Sequence, residues 1–301
     1  MSDLLDQGGD TLEPLAEGGL EKMQVDSEGA GGVRYQLRVG DTRVDGNALI
    51  GRRLEIEHLG TIYCRHCGRK TSKSFSQGHC YPCFRKLAAC DSCIMSPEKC
   101  HYHLGTCREP EWGERNCFVP HWVYLANSSG LKVGITRRSQ VPVRWMDQGA
   151  VAATPVFEVS SRRIAGLIES AMRDHLSDRT NWRTMLKGAA PDLDLCAERE
   201  RVAALAAPVV AEMRERFGPE SVIGLQEPVS TFDYPVHHWP VKIRSHNLDK
   251  TPRIQGTLQG IKGQYLMLDT GVINLRKFTA YQVRLSLQNA TAHSAPGENP
   301  S

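Results

Sequence analysis

Two cysteine pairs constrain this chain more than any other feature. Cys64 and Cys67 are two residues apart, as are Cys80 and Cys83, and twelve residues separate the pairs. Each Cys-x2-Cys turn sets both sulfurs on one side, and two such turns supply the four thiolates of a tetrahedral zinc site. Gly68 after the first pair and Gly78 before the second supply the sharp turns. Cys90, Cys93, Cys100 and Cys107 follow, with His101 and His103 among them. They predict a second zinc ion on Cys90, Cys93 and Cys107, with Cys100 preferred as fourth ligand over His101 or His103. Ligands crossed between the two sites stay open. Four protein ligands leave no free position, so both ions read as structural. Cys117 and Cys196 read as inert buried thiols.

Zinc is preferred to disulfides because of the compartment the chain implies. Its start lacks the basic residues and apolar stretch of a secretory leader, and no apolar run approaches the ~18 residues of a membrane span. A cytoplasmic protein with no membrane partner is expected, and thiols stay reduced there. The oligomeric state cannot be read.

The formal charge is +3, unevenly spread. Residues 1–32 carry eight acids and one base, a net of −7, so the rest of the chain carries +10. A basic body suits a polyanion such as nucleic acid. Part of the basic excess near the cysteines serves instead to neutralise thiolates.

The expected class is α+β. Residues 1–32 are rich in Gly and acids and read as a disordered acidic tail. Residues 33–60 form an N-terminal β segment and 61–117 the double zinc-binding region. Residues 118–190 read as a core of three antiparallel strands with helices. In it, Trp122–Ala126 and Leu131–Ile135 are strands joined by an Asn127–Gly130 turn. Pro142 opens a short helix through Gln148, Thr154–Glu158 is the third strand, and Ser161 caps a helix to about Leu176. Residues 191–225 are a helical segment that Pro208 should break or kink. A small all-β module, 226–286, and a disordered tail, 287–301, close the chain.

The core carries a resemblance. Val123-Tyr124-Leu125, six residues, then Lys132-Val133-Gly134 resemble the paired tripeptides of the GIY-YIG nuclease superfamily, which shares the β-β-α-β-α order. Longer stretches resemble the bacterial family called domain of unknown function 2797, over about Gly51 to Lys187. They are Cys64-Arg-His-Cys-Gly-Arg-Lys70, Gly78-His-Cys-Tyr-Pro-Cys-Phe84, Cys100-His-Tyr-His-Leu-Gly-Thr-Cys-Arg-Glu-Pro110, Lys132-Val-Gly-Ile-Thr-Arg137 and Arg144-Trp-Met-Asp-Gln-Gly-Ala150.

The superfamily resemblance implies roles. Tyr124 is a general base or water-orienting group, and Arg144 stabilises developing phosphorane charge. Glu169 holds Mg or Mn, and Asn181 matches an asparagine after the helix. Lys132 stands where the superfamily has its second tyrosine. Phosphodiester cleavage needs an activated water, a cation at the developing charge and a metal on the phosphate. The expectation is a zinc-stabilised nucleic-acid-binding protein with a metal-dependent endonuclease site. Its rivals are a non-catalytic RNA or DNA binder and a zinc-knuckle scaffold for proteins. The plainer readings are a core-facing Tyr124, a surface Arg144 beside Trp145, and a Glu169 paired with Arg173 one helical turn on.

Overall fold

The computed structural model describes residues 12–288, apart from Ala30, Asp174, Asp178 and Ala189. In chain order it begins with β1 (Leu12–Gly19), β2 (Gln24–Glu28), β3 (Gly32–Val39), β4 (Thr42–Asp45), β5 (Arg53–Tyr63) and β6 (Lys70–Thr71). Then come α1 (Tyr81–Lys86), α2 (Pro110–Cys117), β7 (His121–Asn127), β8 (Leu131–Arg137), α3 (Val143–Asp147), β9 (Ala152–Val159) and α4 (Arg162–Met172). The rest are α5 (Trp182–Met185), α6 (Leu195–Phe217), β10 (Val222–Gly224), β11 (Ser230–Thr231), β12 (Arg253–Lys262), β13 (Tyr265–Leu268), β14 (Gly271–Asn274) and β15 (Tyr281–Gln288).

The largest sheet joins the two ends of the chain. Its order is β1-β15-β5-β12-β13-β14, with β6 on the end of β5. Leu54 and Ile56 of β5 stand opposite Leu287 and Leu285 of β15, and Ile56 also faces Ile254 of β12. These side chains are buried in one apolar cluster. The N-terminal β segment and the C-terminal β module are therefore one unit, where the sequence suggested two. A β2-β3-β4 meander adds Val25, Val33, Tyr35, Leu37 and Val44 to the same core.

The acidic tail needs correction from Leu12 onward. Ala16, Leu20, Met23 and Val25 point inward and are buried. The acids between them meet bases on neighbouring strands: Glu17 with Arg284 at 2.8 Å, Glu21 with Arg38 at 3.0 Å and Glu28 with Arg34 at 2.7 Å. Much of the charge imbalance is local pairing, with Arg34 and Arg38 on β3 and Arg284 at the far end of the sequence. Residues 1–11 and 289–301, which complete the two predicted tails, lie outside the described residues; β15 extends through Gln288.

The second sheet has the order β10-β9-β7-β8, with β11 also on β9, all antiparallel. It contains the three expected strands and two short additions from beyond residue 190. Period-two alternation explains why β7 is buried on both faces. Val123 and Leu125 pack with α4 and α6, whereas Tyr124 and Ala126 join the core shared with the large sheet. Ser161 caps α4 by accepting from the Ile164 amide, as expected. Val202, Ala206, Val210 and Met213 form the buried stripe of α6. That helix continues through Pro208, against expectation. Pro208 and Ala204, whose carbonyl loses its partner, are both exposed, so water can satisfy the lost bond. Among the described residues, no helix is long and apolar enough to cross a membrane.

The cysteine-rich segment between the sheets is built of short turns and two short helices. Among the described residues, the three apolar clusters contain nothing between Ile62 and Val123 beyond the partly buried Trp122. It packs on α4 instead. A Cβ built on Gly166 of α4 would lie 2.6 Å from Pro97, so only glycine permits this approach.

Candidate functional site

A groove of about 330 Å³ opens where β7, β8, α3, α4 and the cysteine-rich segment meet. Tyr124, Lys132, Arg144 and Glu169 all line it, together with Gly134, Gln148, Arg162, Arg173, Arg179 and residues 94–97. The hairpin positions the first two. Tyr124 pairs with Gly134 across β7 and β8, and its ring lies over that glycine. A Cβ on Gly134 would sit 2.7 Å from the Tyr124 hydroxyl, so glycine there is a condition for the ring's place. Trp145 closes on the same ring edge-on, with centroids 5.9 Å apart.

Gln148 is the hub of the floor. Its Oε1 accepts from the Tyr124 hydroxyl at 2.9 Å and from the Lys132 ammonium at 2.5 Å. Tyr124 and Lys132 are thereby locked together from adjacent strands. Burial raises the Tyr124 hydroxyl above the ordinary phenol range; the charge of Arg144 opposes this, and Glu169 adds to it. The phenol consequently stays protonated at neutral pH and serves as a donor. Arg144 in α3 and Gln148, which caps the C-terminus of that helix, lie one turn apart, so both reach the groove. Two contacts hold α3 itself: Lys22 on Asp147 at 2.6 Å, and the Gln264 amide on the same carboxylate at 2.8 Å.

The groove is strongly cationic. Four arginines and a lysine line it, against one carboxylate, Glu169. Arg162 is anchored by donating to the Ile94 carbonyl at 2.7 Å, which ties α4 to the cysteine-rich wall. Burial pushes the Arg162 guanidinium below its usual value, offset by Cys117 and reinforced by Arg144. Arg173 reaches Glu98 at 3.7 Å in the same wall. Asn181 is not among the groove-lining residues. Its side chain caps α5 by accepting from the Thr184 amide, and its own amide donates to Ser129. Gln148, Arg162 and Arg179 escaped the sequence reading. For Gln148 the spacing of four from Arg144 was a usable signal.

The first metal site assembles as its spacing implies. The sulfurs of Cys64, Cys67, Cys80 and Cys83 all lie within 4.8 Å of one another. Burial raises the Cys64 thiol, but the backbone amides of Cys67, Cys80 and His66 outweigh it and bring it down to about 6. Burial, then the other thiols, pushes Cys83 up to about 12. Four such sulfurs cannot all ionise without a cation between them, and a zinc ion fits this donor set.

Among the described residues, no three sulfurs of the second predicted set, Cys90, Cys93, Cys100 and Cys107, lie within 4.8 Å of one another. Cys90 closes a turn (Ala88–Cys90) that directs its thiol towards Ser76 and Cys64. Around Cys93 the donors within 4.8 Å are Asp91 and His101. His103 turns away to meet Arg163 at 3.1 Å. Cys117, expected to be an inert thiol, is close enough to Cys93, Cys100 and Cys107 to act on their charges.

A protein-family model described as "Protein of unknown function (DUF2797)" matches residues 51–283. No curated protein and no solved structure matches the chain.

Proposed function

The chain belongs to the DUF2797 family, and from that starting point we propose that its cationic groove binds nucleic acid and hydrolyses a phosphodiester there, in a core resembling the GIY-YIG nucleases. One observation carries the reading: Tyr124, Lys132, Arg144 and Glu169, from two strands and two helices, meet in a single open groove. The chemistry follows from the residues. Arg144, with Arg162 and Arg179 around it, meets the charge that builds on a phosphate in the transition state. The Tyr124 hydroxyl, fixed by Gln148, orients the attacking water or the leaving oxygen. Lys132 adds a donor in place of a second tyrosine. Glu169 is the only groove-lining carboxylate among the described residues. A bound Mg or Mn ion would take Glu169 as its protein ligand, complete its shell with water and phosphate, and polarise the phosphoryl oxygen. The four-thiolate zinc site holds the segment that supplies residues 94–97, one wall of the groove.

The test uses the full chain with labelled single- and double-stranded DNA and RNA, with Mg or Mn. Cleavage is expected, falling about 100-fold or more in Glu169→Gln and Arg144→Ala. Cleavage that ignores both substitutions removes the catalytic assignment. A non-catalytic binder is favoured by a separate observation: Tyr124 has no exposed surface and shares its acceptor with Lys132. Salt-sensitive binding that weakens in Arg144→Ala, with no product in either metal, selects that reading.

A further inference from the structure

Asp91, Cys93 and His101 form a donor cluster outside both the four-thiolate site and the groove lining. Their ligand atoms lie within 4.8 Å of one another. Asp91 Oδ2 stands 3.3 Å from His101 Nε2. The three come from one short stretch because two tight turns, Ser92–Ile94 and Tyr102–Leu104, fold it back on itself.

Outer contacts fix two of the three donors. Thr106 Oγ1 holds His101 Nδ1 at 2.8 Å, which leaves Nε2 aimed into the cluster. The Ser92 amide donates to Asp91 Oδ1 at 2.6 Å. Arg108 Nε reaches Asp91 Oδ2 at 2.8 Å, and its Nη1 donates to the Phe84 and Leu87 carbonyls. Orientation of a histidine through its second nitrogen, and of a carboxylate through its second oxygen, is the support that metal ligands receive. The Asp91 carboxylate is nearly buried. A thiolate, a carboxylate and a neutral imidazole carry two negative charges; Arg108 offsets part of the Asp91 charge, and a divalent ion meets the remainder. One sulfur, one nitrogen and one oxygen suit zinc better than a hard ion.

We propose that Asp91, Cys93 and His101 are the ligands of a second zinc ion, held by mixed donors and open at its fourth position. No fourth protein donor joins them at 4.8 Å among the described residues, so water or a small exogenous ligand fills that place. Cys93 is followed directly by the groove wall, and the ion fixes the root of that wall. The site stands whatever the groove binds.

The full chain purified with zinc is expected to hold about two ions, with an X-ray absorption average of about 2.5 sulfurs per zinc. His101→Ala and Cys93→Ser should each lose one ion and move the average to about four sulfurs, from the remaining four-thiolate site alone. Cys90→Ser should keep both ions. A wild-type average of about four sulfurs, a single zinc per chain, or two ions retained in His101→Ala overturns the assignment. The wild-type spectrum decides even if a variant fails to fold.

Discussion

The segment from residue 63 to 121 and the sheet that joins the chain's ends are held by different forces. The sheet buries Leu54, Ile56, Ile254, Leu258, Val283 and Leu285 in one continuous core. The cysteine-rich segment contributes no residue to any apolar cluster among the described residues, and it leaves Tyr81, Met95, Leu104 and Phe118 exposed. Its order comes from the gathered sulfurs, from the short pairing of β6 with β5 and from contacts with α4. The lesson is that the cysteine-rich wall of the groove lies outside the apolar packing that holds the rest. The two should fail separately.

Metal removal tests that separation most severely. Zinc binding contributes on the order of 10 kcal/mol in small zinc modules. A strong chelator is therefore expected to disorder residues 64–107 and the wall at 94–97 while the end-joining sheet keeps its protection in hydrogen exchange. Equal loss in both regions would show that one core holds them. Next in size is the converse perturbation. Leu285→Ala in β15 should cost about 2–5 kcal/mol, lowering the urea midpoint of the sheet while zinc content stays unchanged.

The third effect sits at the seam. His121 opens β7 directly after the cysteine-rich segment, and its Nδ1 donates to the Val119 carbonyl at 2.7 Å. Burial, reinforced by Arg162 and Arg137, lowers its pKa to about 4. The unfolded state therefore binds the proton first. Stability is full above the ordinary histidine value of about 6.5 and falls as pH drops towards 4, by up to about 3 kcal/mol. Thermal melts between pH 7 and 4 should show this slope in the wild type and a flatter one in His121→Gln; parallel curves would exclude His121 as its source. The smallest effect is on the surface: Glu28→Gln breaks the exposed pair with Arg34, and the melting midpoint is expected to stay within error in both regions.

What could be read from the sequence was what depends on neighbours along the chain. The Cys64–Cys83 spacing, the hairpin that pairs Tyr124 with Gly134, and the Ser161 cap are each set within about twenty residues. The strand β1 was missed because its partner is β15, at the opposite end, and because Glu17 looked unpaired without Arg284. Cys-x2-Cys spacing does not say which way each sulfur faces, so it could not show that Asp91 and His101 come within 4.8 Å of Cys93. The turn at Ala88–Cys90 points Cys90 towards the first site. The groove's four named residues were legible through a resemblance, whereas Gln148, which joins two of them, shows its role only when the strands and α3 are placed together.

The pairing of Leu12 with Gln288 has a consequence for synthesis. The metal-binding turns draw on residues close in sequence and can close while the nascent chain is still growing. The long sheet cannot: β1 waits for a strand that is translated some 270 residues later, and β5 lacks one of its neighbours until then. A ribosome that stops short of residue 281 releases a chain with its cysteine turns complete and two open strand edges, ready to pair with whatever strand comes near.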